Sequence, residues 1–359
     1  MKIRKLSGFF FAAALIFLSA CGGRGYVPLD VTPYVWPSLP EPPKIKLIKY
    51  ILTDLDVRKK SAAESLFGED VTFYFVKPHG IAVDKDGNIY ITDSMKAQVN
   101  VLNLEKGSIQ TLDNPYGFVT PLGLAVDNKN DLIAVADSGQ GKVYIFSRQG
   151  RSLKHILGQG GELRAPLGVA FDSDRKILYI SDTKAHEIYA YTIEGEFIKK
   201  VAEPGTAEGY VYFPSQIATD KNGKLYVVDT MNFRIQIFDP QGGAPPVVIG
   251  EHGNRPGMFA RPKGIGVSSD GHIFVTDAAF GNFQVFDANG NVYLYIGSPG
   301  VKLGQFNIPQ AIYVDDNDKI YVVDQVNRRL QIFQYLSEKY LQANPEAVKP
   351  PEGAKKDPQ

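Results

Sequence analysis

Six copies of one unit, each opening on a proline and closing on an aspartate, constrain this chain more than any other feature. They read KPHGIAVDKDGNIYITD from Lys77, TPLGLAVDNKNDLIAVAD from Thr120, APLGVAFDSDRKILYISD from Ala165, FPSQIATDKNGKLYVVD from Phe213, RPKGIGVSSDGHIFVTD from Arg261 and IPQAIYVDDNDKIYVVD from Ile308. The leading prolines are Pro78, Pro121, Pro166, Pro214, Pro262 and Pro309, separated by 43, 45, 48, 48 and 47 residues. A period of this size signals an array of like supersecondary units. Each is too small to bury its own apolar face and must stack on its neighbours.

Within a unit, a short apolar run such as Gly80-Ile81-Ala82-Val83 ends at an aspartate. A polar turn, Lys85-Asp86-Gly87-Asn88, then reverses the chain into Ile89-Tyr90-Ile91-Thr92, which is the signature of a hairpin. In the fourth unit a third strand follows, Arg234 to Phe238, then a turn at Asp239-Pro240-Gln241-Gly242 and an outer strand, Val247-Val248-Ile249. Four antiparallel strands with small residues on the innermost one suit sheets packed radially about a narrow axis. The predicted fold is therefore all-β: a six-bladed β-propeller of four-stranded antiparallel blades, spanning residues 44–341. An open stack of blades would leave a strand edge unpaired. Residues Ile45 to Thr53 (IKLIKYILT) form a strand with no unit of their own, and the outer edge of the sixth blade is the place predicted for it, with Tyr335–Leu341 competing for the slot.

The wording of the unit resembles the NHL repeat, whose aspartate is followed by Asn-x-Arg-Ile/Leu-Gln-Ile/Val-Phe. Asp229, Asn232, Arg234, Ile235, Gln236, Ile237 and Phe238 carry the likeness in the fourth unit, and Asp324, Asn327, Arg329, Leu330, Gln331, Ile332 and Phe333 in the sixth. The fifth keeps Asp277, Gln284, Val285 and Phe286 but has Asn282 in place of the arginine; the first three carry Gln98, Lys142 and Glu187 there. The resemblance covers roughly residues 67–335. The six aspartates Asp93, Asp137, Asp182, Asp229, Asp277 and Asp324 recur in every unit, so a structural role is expected: each accepts backbone N–H bonds in the following turn. Asp229 with Arg234 and Asp324 with Arg329 are expected to pair within their blades.

The N-terminus reads as an export signal. Lys2, Arg4 and Lys5 precede the apolar run GFFFAAALIF at 8–17, and Leu18-Ser19-Ala20-Cys21 follows. The run is too short to span a hydrocarbon core, which takes about 20 residues. The last four residues resemble the bacterial lipobox, which implies cleavage after residue 20 and lipidation of Cys21. Two or three acyl chains, at about 0.8 kcal/mol per buried methylene, hold a protein at a membrane. Gly22 lacks the aspartate that retains enterobacterial lipoproteins in the inner membrane, so the expected location is the outer membrane. Residues 21–43 hold six prolines, Pro28, Pro33, Pro37, Pro40, Pro42 and Pro43, and read as a semi-rigid tether. Trp36 and Tyr34 are expected to pack on the propeller or at the lipid interface. Residues 342–359 are polar and proline-containing and read as a disordered tail.

Loss of residues 1–20 leaves 36 basic against 39 acidic residues, a balance with no global attraction for nucleic acid. The single cysteine excludes an intramolecular disulfide and a thiolate metal cluster built by this chain alone. Propellers bind ligands at the channel mouth, where the residues after the repeat prolines gather. The binding candidates are His79, Ser215, Lys263 and Gln310, with Phe233, Phe280 and Arg328 from the loops between second and third strands. A catalytic zinc site needs about three converging ligands. Only His79 among the histidines stands at the mouth position, so neither a metal nor another cofactor is expected. No nucleophile elbow, phosphate loop or dinucleotide fingerprint is present. The expectation is a membrane-anchored, non-enzymatic scaffold that binds a protein, peptide or glycan partner in the cell envelope. The alternatives are an extracytoplasmic propeller lyase or lactonase, or an accessory subunit of envelope redox machinery.

Overall fold

The structure, a computed structural model, describes residues 28–38, 40–59 and 74–348. Six sheets form the molecule, one for each sequence unit. Blade 1 consists of strands Pro78–Val83, Asn88–Asp93, Gln98–Asn103 and Ser108–Leu112, paired antiparallel in that order. Blades 2 to 5 repeat the arrangement, starting at Pro121, Pro166, Pro214 and Pro262. In each of these blades the first strand lies innermost, and each innermost strand packs against the next around the ring.

Blade 6 takes three strands from the end of the chain, Pro309–Val314, Lys319–Asp324 and Arg329–Tyr335, and its fourth from the beginning, Ile45–Ile51. Ile45 pairs with Tyr335 and Ile51 with Leu330, so the orphan strand fills its expected slot. Tyr335 ends the third strand, and the residues after it turn away into a helix, Glu338–Ala343, capped by the Ser337 hydroxyl. A fifth strand, Val35–Trp36, pairs outside Ile45–Lys46.

Two sequence boundaries shift. The proline-rich stretch is not a free tether throughout. Trp36 packs edge-on against Phe333 with ring centroids 5.7 Å apart, and Val31 and Tyr34 lie against the same cluster between blades 5 and 6. Partial burial of Trp36 offsets the cost of ordering a few already stiff residues. The tail begins later than residue 342, because the helix runs to Ala343 and a turn at Pro345–Val348 follows. The signal segment, Cys21 and residues 349–359 lie outside the described residues.

Small residues on the innermost strands are required by the close approach of neighbouring blades. A Cβ on Gly80 would stand 2.2 Å from the Leu122 carbonyl oxygen, and one on Gly123 only 1.6 Å from that of Leu167. Hydroxyls bridge the same seams: Thr92 donates to Leu122 O at 2.7 Å, Ser181 to Ser215 O at 2.6 Å and Ser215 to Lys263 O at 2.8 Å. Apolar layers fill the spaces between blades, so the core is a ring of separate clusters and not one central mass.

Candidate functional site at the proline face

All six first strands begin, and all six second strands end, on one face of the disc, which also carries the connectors between blades. This is the proline face, which also carries the turns between second and third strands; the opposite, turn face carries the turns between first and second and between third and fourth strands. The six aspartates sit under the proline face, each with no exposed surface. Each accepts a backbone N–H from the connector before its own blade: Asp93 from Val76, Asp137 from Val119, Asp182 from Arg164, Asp229 from Tyr212, Asp277 from Ala260 and Asp324 from Asn307. In blades 1, 2, 3 and 5 they also hold the following turn, through bonds such as Lys96 N to Asp93 and Ala185 N to Asp182.

Three connectors, at residues 203–213, 251–261 and 298–308, share one build. Short parallel bridges join Pro204 to Val211, His252 to Phe259 and Pro299 to Phe306, and the second member of each pair is fully buried. A buried glutamine grips each loop: Gln236 accepts from Gly209 N and donates to Tyr210 O, Gln284 does so with Gly257 and Met258, and Gln331 with Gly304 and Gln305. Arg234 bonds Asp229 at 2.9 Å and the carbonyls of Ala207 and Tyr210; Arg329 bonds Asp324 at 2.8 Å and the carbonyls of Val301, Lys302 and Gln305. Asn232 and Asn327 reach Gly205 O and Gly300 O. The aspartate, asparagine, arginine and glutamine of the repeat thus form one device for fixing the connector loops. The sequence itself matches the NHL repeat over residues 75–101 and 259–286.

This is an NHL-repeat propeller. The NHL motif residues hold the loops, and the loops carry the surface. A second match, to the SMP-30/Gluconolactonase/LRE-like region, covers residues 157–250. Among solved structures the fold is shared with a Bacteroides thetaiotaomicron protein of unknown function (TM-score 0.60, 15% identity, 81% of this chain and 75% of that one). It is shared also with virginiamycin B lyase from Staphylococcus aureus (0.53, 15%, 73% and 85%) and with regucalcin, a calcium-binding protein, from Agrobacterium tumefaciens (0.53, 17%, 76% and 88%). No curated protein matches in sequence. At these identities the likeness is one of fold alone.

The structure separates the candidate residues into two groups. His79, Ser215, Lys263 and Gln310 do not ring an open mouth; they fill the narrow proline-face end of the channel. His79 is 6% exposed, and the Gln310 amide meets its Nε2 at 3.0 Å. Burial, helped by the Lys263 charge, pushes the imidazole down to about 3, so His79 is neutral. Its Nδ1 is buried, and among the described residues no partner meets it in hydrogen-bonding geometry. Lys263 is lowered by burial as well. Ser215 accepts from Thr230 at 2.9 Å and belongs to the seam between blades.

Phe233, Phe280 and Arg328 are not equivalent positions. The turn before each third strand carries one residue in the left-handed region: Ala97, Gly141, His186, Phe233, Gly281 and Arg328, with φ between 51° and 61°. Phe280 lies one residue earlier in its turn. Glycine suits this position, and side chains there cost on the order of 1–3 kcal/mol, a kind of strain that gathers at functional sites. Bulky side chains in the left-handed position therefore point to a use beyond stability.

Blades 3 and 4 concentrate them. His186 lies 4.7 Å from the Tyr212 ring and 4.3 Å from Phe213, Tyr212 and Phe213 are 5.0 Å apart, and Phe233 lies tilted against His252 at 4.4 Å. Phe213 itself has φ 50° immediately before Pro214, and its N–H donates to His186 Nδ1 at 3.0 Å. Despite these contacts Tyr210, Tyr212, Phe213 and Met231 remain 38–47% exposed. Sequence reasoning missed this cluster. Three aromatics among four residues, Tyr210-Val211-Tyr212-Phe213, on a connector too short to bury them all, were the available signal.

The channel opens instead on the turn face as a cavity of about 1060 Å³ walled by Ala125, Ala170, Ala218, Gly266 and Tyr313. Its rim is acidic, with Asp172, Asp174, Asp220, Asp270, Asp315 and Asp316. Two of the six are in ion pairs: Asp174 with Lys129 at 2.6 Å and Asp172 with Arg175 at 2.9 Å. Asp270 bonds Ser268, His272 and Tyr335 at 2.5, 3.0 and 3.2 Å. Burial opposes its ionisation, yet the bonds from His272 and Ser268 hold it at about 2. Among the described residues no three His, Cys, Asp or Glu side chains are grouped to hold a metal ion.

Proposed function

We propose that this NHL-repeat propeller is a lipid-anchored binding platform of the cell envelope, and that it holds a protein partner on the aromatic sector of blades 3 and 4. The observation that carries the reading is the exposure of Tyr210, Tyr212, Phe213 and Met231 on loops that are otherwise clamped at every turn. Aromatic and methionine side chains are the types enriched at protein interfaces, and a pre-ordered loop loses little entropy when a partner arrives. The anchor comes from the lipobox-like Leu18-Ser19-Ala20-Cys21, and an outer-membrane location from Gly22. A photo-crosslinking amino acid at Tyr212 or Met231 is expected to trap one discrete partner in intact cells. No adduct from either position, with adducts from Lys221 on the turn face, would move the site to the other side of the disc.

A second reading, an extracytoplasmic lyase or lactonase, is favoured by the match to the SMP-30/Gluconolactonase/LRE-like region together with the roomy turn-face cavity. Stoichiometric zinc or calcium in the purified protein, accompanied by lactone hydrolysis, would replace the platform with an enzyme.

A further inference from the structure

We infer that the outer edge of blade 6 rests on the lipid headgroup layer, so that the propeller stands on its rim beside the membrane. The inference rests on the proposed acylation of Cys21 and adds a geometry to it. Only residues 22–27 separate Cys21 from Pro28, the first described residue. At no more than about 3.6 Å per residue, the path from the acylated cysteine to Pro28 is limited to about 25 Å. From there the chain is already bound to the propeller. The Leu29 N–H donates to the Tyr50 hydroxyl at 2.9 Å, Val31 and Tyr34 lie in the groove between blades 5 and 6, and Trp36 is seated on Phe333. A free 23-residue tether would let the disc drift several tens of ångströms from the bilayer. The docked strap removes most of that freedom and leaves blade 6 as the part nearest the lipid.

The edge so placed has the side chains for it. Leu29 is 59% exposed and Ile48 40% exposed, the latter at an irregularity in the outer strand between Leu47 and Lys49. Tyr293 of blade 5, 39% exposed, lies towards the other end of the same outer strand, with the Lys44 ammonium 5.8 Å from its ring centroid. Apolar tips, an exposed tyrosine and long lysines that keep their charge in the headgroups are the composition of a membrane-interface surface. Lys44 and Lys49 are offset by Asp30 and Glu41 on the same segment, and Lys46 donates to the Ala347 carbonyl, so the net charge is small. Contact is carried by the apolar tips, with the tether supplying the local concentration.

The test uses the full-length chain expressed in a bacterium, purified in detergent and reconstituted into vesicles of phosphatidylcholine and phosphatidylglycerol. Mass spectrometry of the N-terminal peptide reads acylation, and hydroxyl-radical footprinting compares side-chain oxidation in vesicles and in detergent-free Cys21→Ser protein. Leu29, Ile48 and Tyr293 are expected to oxidise at least threefold more slowly on vesicles, while Phe197 on blade 3 and Tyr212 on the proline face keep their rates. A Leu29→Glu, Ile48→Glu double variant is expected to stay acylated and lose the protection. An acylated protein whose blade 6 edge oxidises as fast as Phe197 overturns the rim contact alone. A chain that carries no acyl group at Cys21 overturns the anchor, and the rim contact with it.

Discussion

The Tyr313 hydroxyl in the innermost strand of blade 6 donates to the Val83 carbonyl in blade 1 at 3.1 Å. It crosses the seam where the last unit of the chain meets the first. Gln325 supports it by donating to Pro78 O at 3.0 Å, and Gln310 by meeting His79. A buried hydrogen bond contributes about 1 kcal/mol net, and more when its loss strands a partner. Tyr313→Phe is therefore expected to lower stability by about 1–2 kcal/mol, and Tyr313→Phe with Gln325→Leu by more than either alone. Urea denaturation followed by circular dichroism checks this. A double variant as stable as the parent would mean that the seam is held by packing only.

The two arginines of the NHL motif should not be equal. Arg329 is 7% exposed and makes four hydrogen bonds, whereas Arg234 is less buried and makes three. Removing one partner of a buried ion pair costs about 3–5 kcal/mol. Arg329→Met is expected near that range and Arg234→Met below it. An ammonium cannot reproduce the planar fork, so Arg329→Lys should recover little. Equal losses at the two sites, measured by chemical denaturation, would contradict the ranking.

His79 gives the fold an acid-sensitive element. Burial holds its pKa at about 3, against about 6.5 for an unfolded histidine. Between those values the unfolded chain takes up a proton that the folded chain refuses, so stability falls as pH drops from about 6.5 towards 3. The contribution approaches about 1.4 kcal/mol per pH unit. In His79→Gln that part of the slope is expected to disappear, leaving stability at pH 7.5 little changed. Parallel stability profiles for the two proteins between pH 4.5 and 7.5 would show that His79 titrates normally.

Trp36 is the only tryptophan, and it sits on the strap. Its fluorescence therefore reports strap docking, while circular dichroism reports the blades. The strap is the fifth strand of a sheet that also closes the ring, so the two transitions are expected to coincide in urea, and Trp36→Ala to cost about 2 kcal/mol. A fluorescence change that precedes the loss of strand signal would show a strap that detaches independently.

Much of the architecture was readable because period-two alternation and the proline-to-aspartate unit recur in register, so an error in one copy is corrected by the other five. The strand at Ile45 could be placed because a ring tolerates no leftover edge. The site was less readable. Position after a repeat proline placed His79 and Gln310 at the channel, but the taper that buries them depends on how closely Gly80 and Gly123 let blades approach, a distance no single sequence states. Phe233 and Phe280 look equivalent as the aromatic of each turn, but the two turns have the same length, and counting from Asp229 and Asp277 sets Phe233 against Gly281 and Phe280 against Asn232, as the left-handed backbone at Phe233 and Gly281 confirms. Packing of Trp36 and Tyr34 on the propeller was legible from their aromatic character, but proline content speaks to stiffness and not to how much of the stretch from Leu29 to Trp36 the groove takes up.

Because blade 6 is stitched from both ends of the chain, the earliest blade strand to be synthesised is among the last to find its sheet. Ile45–Ile51 has no sheet to join until Arg329–Tyr335 exists, some 280 residues later. A chain delivered N-terminus first, whether from a ribosome or through a translocation pore, thus carries an unfinished edge for nearly its whole passage. Closure comes as a late, single event, and folding to completion is deferred until the entire chain has arrived.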